Sequence, residues 1–166
     1  ASYLYNYLSN NFRPEDIELR MGNIELLFKL SSRLKINSVK VSYSIETIFI
    51  YICKLYIGAT DGIYIVDISN PRSPVIQSKE SHQVSCDPVV VKNTIAYSTV
   101  KQGVGCNNSF RPQSALLVID VTDPYYPNTI NTILMDSPQG LGYDGNKLFV
   151  CDGTNGIVVY DISDAY

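Results

Sequence analysis

The 166-residue chain has no tryptophan, one histidine and two methionines. A lone histidine leaves the usual catalytic base or zinc ligand without companions. No CxxC pair occurs either, so a structural zinc site is not expected. Charged residues make up only 17% of the chain, and the thirteen Lys and Arg are scattered. A nucleic-acid groove needs clustered positive charge, so no nucleic-acid partner is expected. Long hydrophobic runs are also missing. The longest, IFIYICKLYIG at 48–58, is broken by Lys54 and is too short to cross a bilayer. The opening residues, ASYLYNYLSN, have neither the basic start nor the continuous apolar stretch of an export signal, and no N-terminal cysteine to carry a lipid. The expectation is a cytoplasmic chain, or a mature form or fragment whose export signal lies elsewhere.

What is present points to strands. Apolar residues are 45% of the chain, a globular proportion, and the length suits one domain with a sizeable core. Thirteen tyrosines and many Val and Ile favour a pleated, half-buried surface. One phrase recurs three times: IYIVDISNPRSP at 63–74, LLVIDVTDPYYP at 116–127 and IVVYDISDAY at 157–166. Its aspartates, Asp67, Asp120 and Asp161, lie 53 and 41 residues apart. A second strand precedes each phrase: KLYIG from Lys54, TIAYS from Thr94 and KLFVC from Lys147. Aligning Leu55, Ile95 and Leu148 gives spacings of 40 and 53, so a period of about 41 holds with a loop inserted at 101–114. The insertion, KQGVGCNNSFRPQS, has the Gly, Asn, Ser and Pro content of a loop.

Each unit reads as four strands: an apolar run (ETIFI, DPVVV, QGLGY), the KLYIG-type strand, the quoted strand, then VIQSKE or TINTILM. Asn70-Pro71 and Asp123-Pro124 end the third strand, because proline has no amide to give to a ladder. Four strands in about 41 residues leave no room for a crossover helix. This is the pattern of one blade of an all-β propeller. The repeat aspartate is expected to bond backbone amides in its own turn.

The chain then reads as one β-propeller region over 1–166, with blades at 42–80, 81–135 and 136–166 and a degenerate first blade at 1–41. In the first blade, 3–8 would be a strand and 27–41 would lie on the repeat with Lys29 in the aspartate's place. Residues 13–30 fit an amphipathic helix equally well. About three and a half blades result, so the expectation is a fragment, or a propeller completed by a partner.

The stretches YSIETIF, KLYIGATDGIYIVDISNPRSP, SCDPVVV, LLVIDVTDP and PQGLGYDGNKLFVCDGTNGIVVYDIS together resemble the LVIVD-repeat proteins, over about 42–164. The resemblance implies a propeller and an extracytoplasmic setting, in the periplasm or at a bacterial cell surface, with no defined enzymatic activity. It also implies a lipoprotein-like or outer-membrane context. The family pattern often has Asp where Ser44 stands and His where Gln139 stands, and both departures remove an ionisable group.

Strand geometry singles out Glu46, Asp87 and Gln139. They open the innermost strands of successive blades and are expected at one mouth of the channel, where propellers commonly bind ligands. They are the candidates for a small polar ligand or a cation, against the simpler reading that polar side chains line a wet channel. Cys86 and Cys106 are the candidate disulfide, Cys106 lying in the insertion; an oxidising compartment favours such a bond. Cys53 and Cys151 read as strand residues or free thiols. His82, Cys86 and Asp87 carry no convincing nucleophile–base geometry, since His82 falls in a connecting segment. CDGTNG and YDGN lack the ligand spacing of a calcium loop and read as turns.

Two functions follow from the sequence. The first is a non-catalytic binding or scaffold propeller whose partner is another protein, in a surface or outer-membrane complex. Tyr125, Tyr126 and Tyr166 would serve the interface. The alternative is a hydrolase or lyase using Glu46 and Asp87 as acid and base at the channel mouth. No catalytic residue, metal or cofactor is assigned.

Overall fold

The computed structural model describes residues 25–26, 39–40, 45–59, 61–81, 88–101 and 113–164, leaving aside the side chains of Glu46 and of the first two pairs. The described residues contain no α-helix, only a 3-10 turn at Gly153–Asn155. A two-stranded antiparallel ribbon joins β1 (Glu25–Leu26) to β2 (Val39–Lys40). Three antiparallel sheets follow, each a simple meander. The first holds β3 (Ile45–Tyr51), β4 (Lys54–Ala59), β5 (Gly62–Asp67) and β6 (Val75–Ser81). The second holds β7 (Val89–Lys92), β8 (Ile95–Val100), β9 (Ala115–Asp120) and β10 (Asn128–Leu134). The third holds β11 (Pro138–Asp144), β12 (Lys147–Asp152) and β13 (Ile157–Asp161). Of the degenerate first blade expected at 1–41, the strand at 3–8 and Lys29 lie outside the described residues, as do 102–112 of the insertion.

Turn chemistry divides the strands. Asn70 and Asp123 open β-turns with proline next in line: Ser73 N–H bonds Asn70 O at 2.9 Å, and Tyr126 N–H bonds Asp123 O at 3.1 Å. The side-chain oxygens of Asn70 and Asp123 also accept from Arg72 N (3.2 Å) and Tyr125 N (2.9 Å). The tight turn between the first two strands of each sheet begins with a residue at positive φ: Ile52 (43°), Asn93 (55°) and Gly145 (53°). Asn and Gly adopt this region readily, whereas a β-branched side chain there is strained.

The ladders correct the repeat alignment in the middle unit. Lys54 pairs Asp67, Ile95 pairs Asp120 and Lys147 pairs Asp161. Ile95 is therefore the counterpart of Lys54 and Lys147, not of Leu55 and Leu148. Ala96 takes the place of the two leucines. The backbone agrees: Ile68 N, Val121 N and Ile162 N bond the carbonyls of Cys53, Thr94 and Asn146 at 2.9, 2.8 and 2.8 Å. Because strand side chains alternate, that slip of one residue changes which face each side chain takes.

With the register right, the three sheets stack the same way. Tyr56, Ile63 and Ile65 of the first sheet pack against Val89, Val91, Ala96, Leu117 and Ile119 of the second. Tyr97, Leu116 and Val118 of the second sheet pack against Leu148, Val150 and Ile162 of the third. Leu55, Ile57, Tyr64 and Val66 form a separate buried cluster on the other face of the first sheet. Middle strands buried on both faces explain why KLYIG and IYIV are apolar without alternation. In the third sheet only one face is covered. Leu148 and Val150 are buried, while Phe149, Ile157 and Val159 are 40%, 66% and 51% exposed. Between sheets, β3 and β4 approach β7, and β11 approaches β8 and β7.

Candidate functional site

The starts of the first strands converge at one end of the stack. Thr47 Oγ1, beside Glu46, accepts a bond from Val89 N at 3.1 Å. Thr99 Oγ1 donates to the carbonyl of Gln139 at 2.5 Å. Glu46 sits in β3 where the ladder to β4 slips between Ile45 and Thr47, and Gln139 sits where the β11–β12 ladder slips between Pro138 and Leu141. Such irregularities interrupt the backbone ladder at strand ends. Gln139 is exposed. The side chain of Glu46 and the whole of Asp87 lie outside the described residues, as do His82, Cys86, Cys106 and Tyr166.

Two further carboxylates occupy this end, each beside the turn between the second and third strands of its sheet. Asp61 is buried; it accepts from Lys79 Nζ at 2.5 Å and from Tyr64 Oη at 3.0 and 3.2 Å. The ammonium of Lys79 also stands 5.3 Å from the centre of the Tyr64 ring. Hydrogen bonding to Asp61 holds the Lys79 proton more tightly, while burial and then Asp61 push the Tyr64 phenol up. Asp152, 3% exposed, accepts from Ser137 N (2.7 Å), Asn155 Nδ2 (2.9 Å) and Asp136 N (3.4 Å). Burial opposes its charge, but these donors outweigh burial and its carboxyl is held below the ordinary value. The only sequence sign of either residue was an Asp close to a turn glycine. Both are satisfied by neighbouring groups of the same sheet and its loops, so they fix the shape of this end instead of presenting a charged pair.

The three repeat aspartates lie at the opposite end, and each bonds the amide two residues on: Asp67 to Ser69 N (2.8 Å), Asp120 to Thr122 N (2.8 Å) and Asp161 to Ser163 N (2.9 Å). This is the expected turn role. Asp67 and Asp161 also pair across the ladder with Lys54 (2.7 Å) and Lys147 (2.5 Å). Lys54 and then Ser69 hold Asp67 at about 2, and Lys147 and then Ser163 lower Asp161 likewise. Asp120 faces Ile95 and has no such lysine. At the same end, Tyr51 Oη donates to Asn93 Oδ1 at 3.5 Å and Lys92 Nζ to Asn146 Oδ1 at 2.5 Å, linking the turn of each sheet to the next.

Two other features stand out. Tyr125 and Tyr126, in the turn after β9, are 57% and 81% exposed. A cleft of about 120 Å³ opens between the outer strands of the second and third sheets, lined by Tyr97, Val118, Ile133, Leu148 and Tyr160 among others. Cys53 and Cys151 are exposed free thiols. Among the described residues no three His, Cys, Asp or Glu side chains gather as metal ligands, and no helix is long and apolar enough to cross a membrane.

No curated protein matches the chain. The LVIVD-repeat family profile matches residues 55–79 and 140–165. The first match runs from β4 through the repeat aspartate turn into β6, and the second covers nearly all of the third sheet. The two matched segments are similar to LVIVD repeats, and the same strands and aspartate turn recur in both.

Proposed function

We propose that this protein is a non-catalytic β-propeller-type scaffold that binds protein partners in the periplasm or at the bacterial cell surface. The observation that carries the reading is the repeated stacking: each sheet meets the next through the same positions. Small antiparallel meander sheets packed face to face in this repeated way are how the blades of a propeller are built. The carboxylates of the described residues support a structural use, since Asp61, Asp67, Asp120, Asp152 and Asp161 each serve a local turn or ion pair. The exposed pair Tyr125–Tyr126 supplies rigid aromatic surface of the kind protein interfaces use. An oxidising location accords with a Cys86–Cys106 bond, which peptide mapping without reductant would detect. The test is a photo-crosslinking side chain at Tyr126 in the cell of origin, combined with protease treatment of intact cells and periplasmic extracts. One discrete adduct, formed outside the cytoplasm, is expected. Absence of any adduct from Tyr126 and from a second site at Tyr125, or a purely cytoplasmic protein, would overturn the proposal.

A further inference from the structure

We propose that Asn155 is a modification site: ring closure through the amide of Gly156 converts it to aspartate or isoaspartate, and the new carboxylate loosens the junction between the second and third sheets. Asn155-Gly156 is the one Asn-Gly pair in the chain. Glycine has no Cβ to hinder its own nitrogen from reaching the preceding side chain, so this pair cyclises more readily than other asparagine pairs. The asparagines of other described turns are followed by poorer nucleophiles. Asn70 precedes Pro71, whose nitrogen carries no hydrogen, and Asn93 and Asn146 precede the bulkier Thr94 and Lys147. Asn155 and Gly156 are both exposed, where the 3-10 turn between β12 and β13 ends. The Gly156 amide is held there by one long bond, to Gly153 O at 3.2 Å.

The reaction draws only on water and a base from solvent. Gly156 N gives up its proton to the base and bonds Asn155 Cγ. The Cγ–Nδ2 bond breaks, and the amine takes up a proton and leaves as ammonia. Water then opens the cyclic imide at one carbonyl to give aspartate, or at the other to give isoaspartate.

The place of Asn155 in the fold decides what this does. Its Nδ2 donates to Asp152 Oδ2 at 2.9 Å. Asp152, 3% exposed, in turn holds the segment between β10 and β11 through Ser137 N at 2.7 Å and Asp136 N at 3.4 Å. The turn sits tightly on that segment: Gly153 has φ of 55°, and a Cβ there would come within 2.8 Å of Ser137 Cβ. The reaction removes a donor from a buried carboxylate and sets a like charge against it, which disfavours its ionised form. Asp136 adds a further carboxylate close by, accepting from Thr154 Oγ1 at 3.4 Å. Among the described residues neither Asp136 nor Asp152 pairs with a lysine or arginine, so no cation offsets the new charge.

The test incubates the 166-residue protein for weeks at mildly alkaline pH and maps the peptide after Lys147 by mass spectrometry. The mass gain of an amide turned to acid is expected at Asn155, in two isomers separable by chromatography, at least tenfold faster than at Asn93 or Asn146. Asn155→Gln should abolish it. Asn155→Asp should speed amide exchange at Ser137 at least tenfold and lower Tm more than Asn155→Ala, which loses the donor alone. In an Asp152→Asn background that excess should vanish. A mass gain at Asn155 no faster than at Asn146 would overturn the site. Asn155→Asp no more damaging than Asn155→Ala, with exchange at Ser137 unchanged, would overturn its effect on the junction.

Discussion

The lysine–aspartate pair of the repeat can be separated from the turn it accompanies, because the second sheet has the turn without the lysine. Asp67→Ala removes two interactions: the Ser69 amide bond at 2.8 Å and the Lys54 pair at 2.7 Å. Asp120→Ala removes only the Thr122 amide bond, also 2.8 Å. A hydrogen bond to a charged acceptor contributes about 1–2 kcal/mol near the surface. The side chains of Lys54 and Asp67 are 23% and 27% exposed, which places their coupling near the upper end of the surface range, about 0.5–1 kcal/mol. Asp67→Ala should therefore cost about 1.5–3 kcal/mol and Asp120→Ala about 1–2. For a chain of this size each kcal/mol lowers Tm by roughly 2–4 °C. A Lys54/Asp67 double-mutant cycle in urea should recover the coupling, and 1 M NaCl should shrink it. The Lys147–Asp161 cycle should give a smaller coupling, since those side chains are 51% and 56% exposed. Equal losses for Asp67→Ala and Asp120→Ala, with a cycle energy of zero at low salt, would refute the reasoning.

Leu148→Ala and Phe149→Ala test the two faces of the third sheet by thermal unfolding. Leu148 is fully buried and should cost about 2–5 kcal/mol, while Phe149, 40% exposed, should cost well under half of that. Ile52→Asn should stabilise by about 0.5–1 kcal/mol in urea titration, because asparagine tolerates the positive φ that strains isoleucine, and Ile52 is 74% exposed. The folded-state values of Asp67, Asp152 and Asp161 lie below their unfolded value of about 3.8, so the unfolded chain binds more protons in acid. Stability should be full above about pH 4 and fall as pH drops towards 2, followed by circular dichroism at fixed urea. Asp67→Asn should flatten that slope. Glu46→Gln with Asp87→Asn should weaken Ca²⁺ or small polar ligand binding by at least tenfold in calorimetry if the strand starts form a polar site. Unchanged affinity would remove those residues from consideration.

Much of the chain's organisation was legible from residue order alone. Strand residues announce themselves by β-branching and aromatic content, and turns by Asn-Pro, Asp-Pro and Asp-Gly, because those preferences are local. The aspartate's use of the amide two residues on was readable for the same reason. The register of the middle unit was not. Ile95 and Ala96 are both apolar, so nothing in the letters says which one replaces a lysine; only the ladder to Asp120 decides it. The shape of the strand-start end was equally hidden, since Asp61 and Asp152 look like ordinary turn residues until Lys79, Tyr64 and Ser137 arrive from elsewhere in the fold. The sequence by itself determined where strands begin, turn and end. The tertiary structure decided which faces meet and where a cleft lies between sheets, because these depend on contacts between residues distant along the chain that no local preference encodes.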